Sequence, residues 1–141
     1  MSVGIMMRGN AMAGYKQQLG RVGEEMAARY LVSRGYRIVE RNYRCPVGEM
    51  DIVARDGAYL AFVEVRTRRG RDYGTPEESI TPAKRRKLIE VASTYLQERG
   101  LYDVDWRIDV VAIEMAGDGR LLRLALIKGA VSGEEFPDEM G

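Results

Sequence analysis

The segment spanning residues 58–66 limits the possible folds more than any other part of this sequence. It predicts a β-strand whose apolar side chains fall on both faces, namely Tyr59, Leu60, Phe62, Val63 and Val65. A strand that is apolar on both faces is typical of the centre of a sheet that is covered on both sides. The rest of the chain must therefore supply layers above and below this strand.

The remaining segments predict two helices and four further strands. Helices are expected over residues 17–34 and 81–99, and Thr81-Pro82 has the residue types of an N-cap followed by a first helical position. The other strands are expected over residues 36–43, 49–55, 106–115 and 121–127. The order α-β-β-β-α-β-β predicts an α/β fold in which helices flank a mixed central sheet.

A chain of 141 residues predicts one domain. We assign the domain to residues 15–130, with a disordered leader over 1–14 and an acidic, flexible tail over 131–141. No apolar run approaches the ~20 residues of a membrane span, so a membrane partner is not expected. The single cysteine, Cys45, can form no intrachain disulfide, which is typical of a reducing compartment. These features predict a cytoplasmic protein.

The sequence contains no histidine. Ser-His-Asp and Cys-His catalysis and imidazole zinc sites are therefore excluded. Catalysis by this chain must depend on carboxylates, on Lys or Arg, on hydroxyls, or on a metal ion held by oxygen atoms.

Acidic residues are placed where two buried strands should pair. A hairpin with Asp56-Gly57 as its turn makes Asp51 and Glu64 diagonal neighbours on one face, about 7–8 Å apart at Cα. Glu49 then lies opposite Glu64, and strand alternation adds Arg66 to the same face. Buried carboxylates repel one another unless they are paired, protonated or bound to a cation. The pattern is compatible either with a Mg²⁺ site or with a salt-bridge network neutralised by Arg66.

Glu24 lies on the first helix, at the edge of its apolar stripe and near its N-terminal end. If it points inward, it can join the acidic cluster. Alternatively, its charge interacts favourably with the N-terminus of the helix. The sequence leaves both interpretations open.

Basic residues are concentrated between residues 66 and 87, where eight bases face three acids. Such a cluster can bind nucleic-acid phosphates, although it is also compatible with a solvated loop and helix start. The candidate phosphate contacts are Arg68, Arg69, Arg71, Lys84, Arg85 and Lys87. Tyr73 is a candidate for stacking on a base or for packing in a turn. Asp109, in an apolar strand, either pairs with an arginine or takes part in catalysis.

An ordered set of motifs resembles the YraN family of bacterial uncharacterised proteins. The motifs are Gly20-Arg21-x-Gly23-Glu24, Arg41-Asn42-Tyr43-Arg44, Gly48-Glu49-Met50-Asp51-Ile52-Val53, Phe62-Val63-Glu64-Val65-Arg66-Thr67-Arg68, Tyr73-Gly74, Lys84-Arg85 and Arg107-x-Asp109-Val110. That family is similar to the restriction-endonuclease-like superfamily, which includes archaeal Holliday-junction resolvases. The resemblance implies a restriction-endonuclease-like mixed sheet, DNA as the partner and a homodimer.

The resemblance also implies roles for particular residues. By position, Glu24 matches the helical acid of the superfamily, while Asp51 and Glu64 match its ligands for Mg²⁺ or Mn²⁺. Arg66 stands where the superfamily usually has lysine. Because arginine stays protonated, Arg66 cannot act as a base, but it can hold a phosphate.

Three hypotheses follow for the function. The first is a divalent-metal-dependent endonuclease-like protein that binds and cleaves DNA, with branched or damaged DNA among its substrates. The second is a non-catalytic nucleic-acid-binding module on a nuclease scaffold, because fold does not guarantee function. The third is a protein-interaction adaptor whose charges are structural.

Overall fold

Two α-helices cover a five-stranded sheet in the computed structural model, which describes residues 11–70 and 74–131. The helices are α1 (Ala11–Ser33) and α2 (Pro82–Glu98), and a short 3-10 helix (Glu77–Ser79) precedes α2. The strands are β1 (Arg37–Cys45), β2 (Gly48–Asp56), β3 (Tyr59–Arg69), β4 (Trp106–Met115) and β5 (Leu121–Val131). No helix in the described ranges is long and apolar enough to span a membrane.

The strands lie side by side in their sequence order. β3 is central and runs parallel to β4, whereas the other neighbours are antiparallel. A parallel pair needs a crossover connection, and α2 forms it. The predicted α/β fold with a mixed sheet and the order α-β-β-β-α-β-β is therefore confirmed.

The central position of β3 follows from its two apolar faces. Phe62 packs in the core on the α2 side, whereas Val63 packs in the core on the α1 side. On α2 the spacing of apolar residues predicts an inward stripe of Leu88, Val91, Ala92, Tyr95 and Leu96, and these are its buried residues. Each helix thus covers one face of the sheet.

Helical spacing predicts an apolar stripe on α1 formed by Leu19, Val22, Met26, Tyr30 and Val32, and this prediction is wrong in part. Val22 and Val32 are 51% and 57% exposed, whereas Ala27, Ala28 and Leu31 are buried. The helix faces the sheet with mostly small side chains, which lets its backbone approach the strands closely.

Element bounds differ most at the ends of the chain. β4 covers the predicted residues, but β5 continues to Val131 and α1 already includes Ala11. Residues 1–10 and 132–141 lie outside the described residues, so the predicted leader and acidic tail stay predictions. Arg71 and Tyr73 also lie outside them.

The predicted β2–β3 register is wrong by two residues. The turn residues are Gly57 and Ala58 rather than Asp56 and Gly57, and Asp56 pairs with Tyr59. Gly57 has φ +60°, and Ala58 is not among the residues with positive φ. This is the pattern of a type II′ turn, which takes glycine at its first central position. A shift of two residues keeps the paired side chains, from Ile52 to Asp56 and from Tyr59 to Val63, on their predicted faces.

Candidate functional site

β2 and β3 separate at Asp51. Their regular pairing ends at Ile52 and Val63, and the Val65 N–H then donates to Asp51 Oδ2 at 2.7 Å. Met50 packs in the core on the α2 side and Ile52 in the core on the α1 side, so the alternation of β2 is interrupted between them. The Asp51 carboxylate is consequently held between two diverging strands by a backbone donor.

Three carboxyl groups from three elements meet at this point. Glu64 on β3 and Glu24 on α1 both lie close enough to Asp51 for its charge to raise their pKa values. Because the regular pairing ends at Ile52 and Val63, the predicted diagonal pairing of Asp51 with Glu64 does not form, and Glu64 is only 5% exposed. The inward interpretation of Glu24 is thus the one that the structure supports. Glu49 remains exposed and pairs with Arg44 at 3.5 Å.

The site disfavours full ionisation of its acids. Burial, together with the charge of Asp51, raises the pKa of Glu64 to about 7. Burial also raises the pKa of Asp51, against the lowering effect of the Val65 N–H. The pKa of Glu24 is raised by burial and by the neighbouring Asp51. Additional positive charge at this point would stabilise the ionised cluster.

Two side chains bring positive charge to Glu64. Lys84 Nζ lies 3.5 Å and Arg66 Nη1 lies 3.6 Å from Glu64 Oε2. Arg66 Nη2 donates to the Ser79 carbonyl at 3.3 Å, while the buried Nε finds no hydrogen-bond acceptor. The salt-bridge interpretation is therefore correct about Arg66, but it missed Lys84.

The donor set fits a divalent cation that keeps most of its waters. Within the described ranges, no group of three or more His, Cys, Asp or Glu side chains is arranged to hold a metal ion. Asp51 and Glu64 offer two carboxylates, and Mg²⁺ is typically held by one or two carboxylates with waters and substrate phosphates. These two residues would hold Mg²⁺ or Mn²⁺.

The basic candidates do not form one patch. Arg69 points to the α1 side of the sheet, where its Nε and Nη2 donate to the Gly117 carbonyl at 3.1 and 2.8 Å. Arg85 Nη1 donates to the Ala130 carbonyl at 3.5 Å. By strand alternation Arg68 shares the Glu64 face, and Lys87 lies exposed one helical turn after Lys84.

Asp109 lies away from the carboxylate cluster. It is fully buried, and its carboxylate accepts hydrogen bonds from Tyr36 Oη, Arg107 Nε and Gly129 N at 2.8, 2.9 and 2.9 Å. Of its two predicted interpretations, the structure supports pairing with an arginine.

The contact of Lys84 with Glu64 joins residues 20 positions apart. Sequence reasoning assigned Lys84 either to nucleic-acid binding or to a solvated surface position. The available signal was its place in the first turn of a helix, where a positive charge opposes the helix dipole. Glu64 offsets this mildly unfavourable placement with its negative charge.

Comparison with known proteins places the chain in a family. The model of Uncharacterised protein family UPF0102 matches residues 23–113. The chain belongs to the UPF0102 family. This is the YraN family that the motifs indicate. The matched region includes Glu24, Asp51, Glu64, Arg66 and Lys84.

Similar UPF0102 proteins come from several bacteria. The protein from Symbiobacterium thermophilum is 50% identical over 114 residues, which cover 81% of this chain and 96% of the relative. The protein from Moorella thermoacetica is 47% identical over 115 residues, covering 82% and 96%. The protein from Roseiflexus castenholzii is 53% identical over 105 residues, covering 74% and 85%. The similarity therefore extends over most of the domain.

Glu64→Gln should change how the stability of this UPF0102 protein depends on pH. The fold raises the pKa of Glu64 from 4.5 to about 7, so the metal-free wild type loses stability as the pH rises through this interval. The variant lacks that loss. The free energy of unfolding of the variant minus that of the wild type should therefore increase by up to about 3 kcal/mol from about pH 5 to pH 8.

Urea unfolding of both proteins in EDTA measures this difference. Asp118→Asn is the control, because Asp118 is exposed and pairs with Arg120 on the surface. If the stability difference between Glu64→Gln and wild type is the same at about pH 5 and pH 8, burial does not disfavour the charge of Glu64.

Gly23 allows α1 to carry Glu24 to the sheet. It is buried, and a Cβ at this position would collide with the hydroxyl oxygen of Thr67 on β3. Gly20, one turn earlier, has no neighbour within 4 Å of such a Cβ. The two glycines therefore make a matched pair for testing close approach.

Gly23→Ala should lower the free energy of unfolding by about 1–3 kcal/mol, because the added methyl group forces α1 away from β3. Gly20→Ala should instead raise it by up to about 1 kcal/mol, through helix propensity alone. Urea unfolding of both variants gives the comparison. The Gly23→Ala loss should shrink in a Thr67→Ala background, and a loss of the same size there would show that Thr67 is not its cause.

Proposed function

We propose that this UPF0102 protein is a divalent-metal-dependent endonuclease-like protein that binds DNA and hydrolyses its phosphodiester bonds. The observation that supports the proposal most is the meeting of Glu24, Asp51 and Glu64 at one point, from a helix and two strands. Their raised pKa values make the cluster costly without a cation. The resemblance to metal-dependent nucleases assigns these same three positions.

Each side chain has a role in this proposal. Asp51 and Glu64 hold the cation, and the Val65 N–H fixes the orientation of Asp51. Glu24 supports the cluster from the helix side. Arg66, beside Glu64, contacts the phosphate that is cleaved. When bound, Mg²⁺ or Mn²⁺ supplies Lewis-acid activation of the phosphate and of the attacking water.

The reaction is a hydrolysis and needs no other reactant. The oxygen of water attacks phosphorus, and the bond from phosphorus to one ester oxygen breaks. One proton of the water ends on the leaving oxygen, and the other is released to solvent. The products are a terminal phosphate and a hydroxyl at the nick.

The test is cleavage of labelled linear, single-stranded and four-way-junction DNA with Mg²⁺ or Mn²⁺. We expect cleavage of at least one substrate that EDTA abolishes. The same cations should raise the melting temperature. At a cation concentration of 100 times the dissociation constant, the added stability is about 2.7 kcal/mol. A protein that neither cleaves nor gains stability with either cation would overturn the proposal.

We propose a cytoplasmic homodimer as the functional form. Its support is the single cysteine together with the resemblance to resolvases. Sedimentation at micromolar concentration tests the dimer, and a monomer in the presence of DNA would contradict it.

A second candidate function is DNA binding without turnover. The observation that favours it is Arg66, which stands at the lysine position of the motif and is held by the Ser79 carbonyl. An arginine there can bind a phosphate but cannot take a proton from water.

Salt dependence should report which bases contact the phosphates under either function. Arg68→Ala and Lys87→Ala are each expected to reduce the slope of log affinity against log salt by about 0.9, because each removes one phosphate contact. Fluorescence anisotropy with Ca²⁺ measures the affinity. Lys128→Ala is the control, since Lys128 pairs with Asp56 at 3.0 Å, away from the carboxylate cluster. Equal slopes in all four proteins would remove both residues from the interface.

A further inference from the structure

Lys84 is joined to the carboxylate pair by the fold. Its backbone N–H donates to the N-cap hydroxyl of Thr81 at 3.1 Å, which fixes the start of α2 above the sheet. From there its ammonium group reaches within 3.5 Å of Glu64, and its charge also lowers the pKa of Asp51. Lys84 is thus the amine at the site, although it comes from a different element than Arg66.

The two cations at Glu64 differ in their freedom to act. Arg66 is tied to the Ser79 carbonyl, and its planar group has a buried Nε without an acceptor. Lys84 is a compact point charge with three N–H donors, and its side chain is 34% exposed. It can therefore contact Glu64 and still present donors toward the solvent side of the site.

We propose that Lys84 supplies the ammonium group that orients the attacking water and the phosphate oxygen, in place of the strand lysine that this chain lacks. The inference rests on the proposed nuclease function. Arg66 keeps its contact with the phosphate and also links the 3-10 segment to Glu64. Lys84 acts in its protonated form, by donating hydrogen bonds, and is neither a base nor a metal ligand.

The decisive comparison uses Lys84→Met, Arg66→Lys and the double variant. Lys84→Met should reduce the single-turnover rate at saturating DNA by at least about 100-fold. DNA affinity, measured by anisotropy with Ca²⁺, should stay within about threefold. The rise in melting temperature caused by Mn²⁺ should persist, because both carboxylates remain. Lys128→Met is the matched lysine control, since Lys128 pairs with Asp56 away from the carboxylate cluster.

The double variant gives the sharpest expectation. Arg66→Lys returns an amine to the strand. The double variant should therefore cleave at least about tenfold faster than Lys84→Met alone. Lys84→Arg should cleave more slowly than the double variant, because the wider guanidinium group cannot take the place of the ammonium group beside Glu64. A merely structural role for Lys84 predicts no rescue from the neighbouring strand.

Each contrary outcome has a separate meaning. If wild type cleaves and Lys84→Met cleaves equally well, the role of Lys84 is overturned and the nuclease function stands. If Lys84→Met loses DNA affinity but not rate at saturation, or loses the Mn²⁺ effect, Lys84 is a binding or positioning residue and the inference fails. If wild type is inactive but Arg66→Lys cleaves, the scaffold is competent and Lys84 is not its amine. If neither cleaves any substrate, both proposals fall.

Discussion

Asp51→Asn is expected to reduce the single-turnover rate of metal-dependent DNA cleavage by on the order of 10³-fold. The substitution removes the negative charge at the point where Glu24 and Glu64 converge. The amide oxygen of asparagine can still accept the Val65 N–H, so the two diverging strands keep their link. If the rate falls and the protein stays folded, the loss is therefore due to weaker cation binding and not to a disrupted fold.

Three measurements separate these effects. The cleavage rate is measured at saturating DNA, the affinity with Ca²⁺, and the melting temperature with and without Mn²⁺. Asp118→Asn is again the matched control, since Asp118 is an exposed aspartate in the β4–β5 turn. Cleavage that survives in Asp51→Asn would assign the activity to another site or to a contaminant.

The central strand could be predicted because its signal is local. The apolar residues of β3 fall on both faces, and only a strand with a core on each side can bury them. The structure accordingly places Phe62 in one core and Val63 in the other. The inward stripe of α2 was predictable for the same reason, since helical spacing alone defines it.

The position of Asp51 relative to Glu64 could be predicted only in part. Two adjacent two-residue turns fit the sequence around Gly57, and the backbone angle at this glycine selects one of them. Both turns bring Asp51 and Glu64 near each other at the end of the paired segment, which is why their proximity survived the wrong register. The separation of β2 from β3, which makes room for Asp51, has no signal in the strand pattern.

The basic side chains show where sequence proximity is a poor guide. Arg68 and Arg69 are neighbours in sequence, but strand alternation sends Arg69 to the opposite face, where it bonds to Gly117. Lys84 is distant in sequence from Glu64, and the crossover through α2 brings them together. Charge counting identified the cluster of bases but could not tell which of them meets the acids.

Asp109→Ala is expected to cost about 3–5 kcal/mol of stability, which is the largest stability effect predicted for this chain. Asp109 on β4 is fully buried and is bonded to Arg107 of its own strand, to Gly129 of β5 and to Tyr36 in the connection between α1 and β1. Its removal leaves the Tyr36 hydroxyl and the Gly129 N–H without this acceptor, while Arg107 keeps its contacts with Asp56 and with the Tyr36 hydroxyl. The melting temperature should fall by roughly 10 °C or more.

Thermal and urea unfolding of Asp109→Ala, Asp109→Asn and Asp118→Ala test this expectation. Asp118→Ala should cost less than about 1 kcal/mol, because its ion pair with Arg120 is exposed. Asp109→Asn should fall between them, since its amide oxygen can still accept hydrogen bonds. Cleavage well below the melting temperature then separates the two interpretations of Asp109. A structural residue leaves the rate per folded molecule near wild type, whereas a stable Asp109→Ala protein without activity would make Asp109 part of the reaction.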